Sequence, residues 1–136
     1  MGQRHRHVLI VANKPASAWI DAVSRTLAQI GEIHLVAEQD VAAVLGSCCY
    51  DLALVDTSAL EQDAADLVRR LVACQDDLPV VVVTTSPTWQ RARAVFLAGA
   101  TDYVRRTFEE QKLRDMCQSA IFRRKGVVQT HDSPCG

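Results

Sequence analysis

Pro79-Val80-Val81-Val82-Val83-Thr84 is the stretch on which the fold turns. Four consecutive valines do not alternate with polar residues, as a strand with one wet face would. Both faces of this strand must therefore be covered, which is the mark of a parallel sheet layered between helices. Leu52-Ala53-Leu54-Val55 is a second continuous apolar run, and it ends in Asp56, whose carboxylate is expected to be held at the surface as a nucleophile or cation ligand would be. His7 to Val11 is a third, set between the Arg4-His5-Arg6 cluster and Asn13-Lys14-Pro15. Ile33 to Val36 and Tyr103-Val104 supply two shorter strands.

The segments between these strands carry helical periodicity. Trp19, Ile20, Val23, Leu27 and Ile30 share one face, and Gly31 closes that segment. Asp40 to Leu45 reads as a short helix ended near Gly46. Ser58 with Glu61 has the spacing of a capping box, predicting the start of a helix that carries Leu67, Val68, Leu71 and Val72. A further helix is expected from about Thr88 to Ala98. Thr107 with Glu110 is a second capping-box match, ahead of Leu113, Met116, Cys117, Ala120 and Ile121. Five strand–helix repeats imply an α/β protein, a doubly wound five-stranded parallel sheet in a three-layer sandwich. One domain is expected over residues 1–124, followed by a flexible tail over 125–136.

A net charge of −1 gives no electrostatic case for nucleic acid or a membrane surface. No apolar run approaches the ~18 residues of a transmembrane span, and nothing resembles a signal peptide. The five cysteines are odd in number and irregular in spacing, which argues against a disulfide framework and for a reducing, cytoplasmic setting. Cys48, Cys74 and Cys117 are expected to be buried thiols, and Cys135 in the tail to be exposed. Zinc is not expected, because no Cys-x-x-Cys pair occurs and the histidines stand at unrelated positions. The Arg4-His5-Arg6-His7 cluster reads as a solvated terminus ahead of metal or anion binding. No Gly-rich phosphate loop, catalytic triad or acid pair is present, so an enzyme is not expected.

In doubly wound sheets the working groups gather at the carboxyl ends of the strands. Here those ends are Ala12 and Asn13, Asp56, Thr84 and Thr85, and Arg105 and Arg106. The register of Asp56, Thr84 and Ala98-Gly99-Ala100-Thr101-Asp102-Tyr103, with Phe108 beyond it, resembles the receiver domain of response regulators from Val8 to about Arg124. The resemblance implies a flavodoxin-like strand order of 2-1-3-4-5. It also implies that Asp56 stands at the phosphoacceptor position and Thr84 at the hydroxyl that contacts the phosphoryl group. Tyr103 would pair with Thr84 as the switch, or simply pack on the helix of Val95 and Phe96. Arg106 stands at the family's lysine, as a substitute phosphate ligand or as an ion-pair partner that locks Asp56.

Phosphoryl transfer to a carboxylate depends on neutralising charge, since two unit charges at ~4 Å repel by ~4 kcal/mol at an effective dielectric near 20. The family uses Mg²⁺ held by an acidic pair. That pair is replaced here by Ala12 and Asn13, with Lys14 adjacent. Asp56 and Asn13 are the remaining candidate metal ligands, so weak Mg²⁺ binding is the expectation. Thr107 replaces the family's proline, and a trans Arg106–Thr107 peptide is expected. Leu60 and Ala64 replace its usual Pro and Gly.

The implied role is a receiver-like module in phosphorelay signalling with a histidine kinase or other signalling protein as partner. The alternative is a pseudo-receiver, a phosphorylation-independent interaction module with a fixed docking surface. A homodimer through the last two helices and strand is a further expectation, on the mixed charges of Arg91, Arg93, Arg105, Arg114, Arg123 and Arg124 with Asp102, Glu109 and Asp115. Trp89, if exposed, would mark a partner surface. Only a short tail follows Arg124, so output is expected to pass through a partner unless the chain is a fragment of a longer protein.

Overall fold

The apolar runs pair side by side in parallel, and the helical segments cover both sides of the sheet they make. A computed structural model describes residues 6–14, 16–58 and 60–127. The strands are β1 (His7–Val11), β2 (Glu32–Val36), β3 (Leu52–Asp56), β4 (Val80–Thr84) and β5 (Asp102–Arg105). The helices are α1 (Ala18–Leu27), α2 (Val41–Ser47), α3 (Ala64–Cys74), α4 (Trp89–Ala98) and α5 (Glu110–Val127). Sheet order is β2-β1-β3-β4-β5 with every pairing parallel, the flavodoxin-like order expected.

Alternation along each strand divides the core in two. Val8, Ile10, Leu52, Leu54, Val81 and Val83 face α1 and α5, where Trp19, Leu27, Leu113 and Cys117 complete one cluster. Leu9, Val11, Ala53, Val55, Val80 and Val82 face the other way, against Val41, Leu67, Leu71 and Val95 of α2, α3 and α4. All four valines of β4 are fully buried, as a strand covered on both faces requires. Each contributes about 1.5–3 kcal/mol by leaving water, before chain entropy is set against it.

Local signals set several element ends. The Ser17 hydroxyl accepts from the Ile20 amide to open α1, and the Thr88 hydroxyl accepts from the Arg91 amide to open α4. Gly99 ends α4 at φ +117°, a left-handed conformation that side chains disfavour. A Cβ there would also meet Val72 at 3.2 Å. The two expected capping boxes do not form. The first turn of α3 starts later, at Ala64 after Asp63, because Ser58 and Glu61 are held by Arg106 and Glu38 instead. The Thr107 hydroxyl accepts from the Glu109 amide, a local turn just before α5.

Among the cysteines, Cys117 is buried as expected, while Cys48 is half-buried and Cys74 exposed. Cys74 sits on the outer side of the last turn of α3, which corrects its placement in the core. Cys49 is disulfide-bonded, where the odd count and irregular spacing argued against a disulfide framework. Burial in the α1–α5 cluster pushes the Cys117 thiol up to about 12. The helix α5 continues through Val127, and the rest of the expected tail, with Arg4, His5 and Cys135, lies outside the described residues.

Candidate functional site at the carboxyl end of the sheet

The register of the central strands brings Asp56 opposite Val83 and Thr84 opposite Arg105, at one edge of the sheet. Arg106 follows β5, and its amide donates to the Thr84 carbonyl at 2.9 Å, which continues the ladder and fixes where its side chain starts. From there the guanidinium reaches across to β3. Its Nη2 donates to Asp56 Oδ1 at 3.0 Å, to Asp56 Oδ2 at 2.9 Å and to Ser58 Oγ at 3.0 Å. The guanidinium also lies over the Trp19 ring at 4.8 Å, a cation–π contact. The indole nitrogen of Trp19 donates to the Thr107 carbonyl at 2.9 Å, so the residue after Arg106 is tied to the same ring.

This arrangement corrects one expectation. Asp56 was expected at the surface, yet its side chain is only 1% exposed. Arg106 and the loop after β3 cover it, and the Ser58 amide donates to Asp56 Oδ1 at 3.2 Å from within that loop. A carboxylate so buried is stable as an anion only when paired and hydrogen-bonded. Arg106 meets both requirements. The peptide between Arg106 and Thr107 is trans, as expected without proline.

Thr84 and Tyr103 face the other side of the sheet. The Thr84 hydroxyl accepts from the Ser86 amide at 3.2 Å, and the Tyr103 hydroxyl from the Thr88 amide at 3.4 Å. Both line a cavity of about 270 Å³ with Thr57, Leu60, Arg91 and Val95. The ring of Tyr103 is half-buried against the α3–α4 side of the core. Asp56, Arg106 and Ser58 are thus in direct contact, while Thr84 and Tyr103 form a neighbouring group around the β4–α4 loop.

Asn13 Oδ1 accepts from the Glu38 amide at 2.9 Å, in the manner of a loop hydrogen-bonder. Glu38, which the sequence reading passed over, is a buried carboxylate just past β2. It accepts from the Glu61 amide at 2.9 Å and the Gln62 amide at 3.3 Å, clamping the β3–α3 loop from the neighbouring edge. An acid two residues beyond a strand end, on the working edge of the sheet, was the signal available for it. Ser58 and Trp19 were missed as site residues because each also satisfied a simpler reading, as helix cap and as core.

Receiver domains imply Mg²⁺, and the donors present do not fit it. Mg²⁺ takes a near-octahedral set of hard oxygens. Here Ala12 offers none, Asn13 Oδ1 already accepts from an amide, and Glu38 is engaged by the loop it holds. Asp56 carries a guanidinium on both oxygens. The positive charge that a metal would bring is supplied by the chain itself.

The fold is the one found in response-regulator receiver domains. A CheY-like receiver domain protein from Methanospirillum hungatei superposes with a TM-score of 0.80 at 16% identity, covering 90% of this chain and 98% of that one. A response regulator from Thermotoga maritima gives 0.76 at 22% identity, covering 88% and 99%. In sequence, the transcriptional regulatory protein PhoP of Escherichia coli is 32% identical over 78 residues, which is 57% of this chain and 35% of PhoP. The chain therefore spans about a third of the length of the curated relatives it matches. No family model matches the chain.

Proposed function

We propose that this chain is a signalling module of the receiver class in which Arg106 holds Asp56 as an internal ion pair, so that its surface is presented in one set state without phosphoryl transfer. The observation that carries this reading is the contact of one guanidinium nitrogen with both oxygens of the acceptor-position carboxylate. A nucleophile in that position is neutralised, covered and lacking the oxygen donors for Mg²⁺. The module acts by binding and is not an enzyme. Its output surface is α4, β5 and α5, where Trp89, Phe96, Leu97 and Phe122 are exposed. That face would meet a signalling partner or a second copy of the chain, with the exposed charge pairs setting specificity more than affinity. Among the described residues no helix is long and apolar enough to cross a membrane, and the proposed setting is the cytoplasm.

A second reading is favoured by the order of Asp56, Thr84 and Tyr103 and by the similarity to PhoP. In it a histidine kinase donates a phosphoryl group to Asp56, Arg106 swings from the carboxylate to the phosphoryl oxygens, and Thr84 with Tyr103 relays the change to the same face. Incubation with acetyl phosphate or beryllofluoride plus Mg²⁺, read by intact mass and Trp fluorescence, separates the two. The expected result is no adduct on the native chain, and a gain of adduct when Ala12→Asp, Asn13→Asp and Arg106→Lys are combined. A stoichiometric adduct on the native chain, lost in Asp56→Asn, would establish the second reading and overturn the first.

A further inference from the structure

At the opposite end of the sheet, on the β1–β2 edge, three ligand-type side chains converge. Parallel register sets His7 directly opposite Glu32, and His34 lies two residues along β2 on the same face. His7 Nδ1 is 3.7 Å from Glu32 Oε1, and His34 Nε2 is 3.2 Å from Glu32 Oε2. One ligand atom from each of the three lies within 4.8 Å of the others. Tetrahedral zinc with ligands at ~2.0–2.1 Å needs donor atoms roughly 3.3 Å apart, so small side-chain rotations close this set. The other nitrogen of His34 is already fixed, since Nδ1 shares a hydrogen bond of 2.8 Å with the Tyr50 hydroxyl. Such a partner orients an imidazole and leaves Nε2 to face a metal.

We propose that His7, Glu32 and His34 form a divalent transition-metal site, best suited to Zn²⁺, with Tyr50 as the positioning residue for His34. Two imidazoles and a carboxylate are the donor set that Zn²⁺ takes when a fourth position stays open to water. The side chains of His7 and His34 are 31% and 29% exposed and that of Glu32 is 52% exposed, so solvent reaches the fourth position. The ion would bind the edge strand β2 to β1, well away from Asp56. This site does not depend on the reading of the carboxyl end.

The test is titration of the full chain with Co²⁺ followed by absorption, then displacement by Zn²⁺, with thermal melts in parallel. The expected outcome is one equivalent per chain, a visible Co²⁺ spectrum abolished by Zn²⁺, and a melting temperature raised by Zn²⁺. Glu32→Gln and His34→Gln should each weaken binding by at least about tenfold, and Tyr50→Phe by about tenfold. Glu32 is exposed on an edge strand, so its variant keeps the fold, as circular dichroism would verify. Asp56→Asn should leave binding unchanged. No saturable binding, or binding that survives both Glu32→Gln and His34→Gln, overturns the proposal and assigns any bound ion to other His and Cys side chains.

Discussion

The two ends of the parallel sheet place acids beside nitrogen bases in opposite ways. At the carboxyl end Asp56 is buried and meets Arg106, a base that is always charged. At the amino end Glu32 is half-exposed and lies between two imidazoles, which are cations only when protonated. The first arrangement completes itself, because cation and anion belong to the same chain. The second has room for an external cation and three ligand-type side chains to hold one. A fold that normally keeps its chemistry at the strand carboxyl ends has here internalised that charge.

The sharpest way to break this contrast is Arg106→Ala. It leaves Asp56 buried without a cation, and removing one partner of a buried pair costs about 3–5 kcal/mol. Arg106 is itself 23% exposed, so water can enter and the lower end, about 3 kcal/mol, is expected in urea unfolding. Combining Asp56→Leu with Arg106→Met should restore most of that loss. If the double variant stays as unstable as Arg106→Ala, the pair is not the source of the effect.

Glu38→Ala tests whether the carboxyl end is also rigid. Two loop amides lose their acceptor, for an expected loss of about 2 kcal/mol. Hydrogen exchange should accelerate at Glu61 and Gln62 while β4 stays protected. Trp19→Phe removes the bond to the Thr107 carbonyl and weakens the cation–π contact, at about 1–2 kcal/mol. A loss below that range would show that Arg106 is oriented by Asp56 and Ser58 without the ring.

Alkaline pH probes the other end and the core together. Burial first, then Cys48 and Glu32, push Tyr50 up to about 12 from 10.0, and burial pushes Cys117 up to about 12 from 9.0. Both groups keep their protons longer in the folded chain than in the unfolded one. Stability should therefore be full below about pH 9 and decline towards about pH 12, because the unfolded chain binds fewer protons in that window. In Cys117→Ala the decline should begin about one unit later, near the ordinary tyrosine value. An unchanged onset would place the thiol outside this linkage. The smallest effect is expected at Trp89→Ala, within about 0.5 kcal/mol, since the ring is 72% exposed. Its consequence should appear in partner capture or self-association, measured by sedimentation.

Much of the fold was legible because continuous apolar runs have few alternatives. The valines of β4 needed cover on both faces, and the helices that cover them announced themselves by period. Helix starts were less legible. Ser58 and Thr107 carry the right side chains for caps, but a hydroxyl bonds whichever donor the tertiary fold brings near, and for Ser58 that was Arg106. The residues of the carboxyl-end site were named in advance, and so was an Asp56–Arg106 ion pair as one of two readings of Arg106, while the contacts of Arg106 with Ser58 and Trp19 were not. The burial of Asp56 was not legible, because nothing local shows the loop after β3 and a guanidinium 50 residues away closing over it together.

The sequence by itself determined the layers, the parallel sheet and the edge at which Asp56, Thr84 and Arg106 would gather, since periodicity and strand ends are local properties. Only the tertiary structure decided that Arg106 closes on both oxygens of Asp56 and that Glu38 clamps the loop beside it. It also brought together His7, Glu32 and His34, whose sequence positions had argued against a metal site. Parallel pairing of β1 with β2 aligns them on one face, and no spacing along the chain encodes that register.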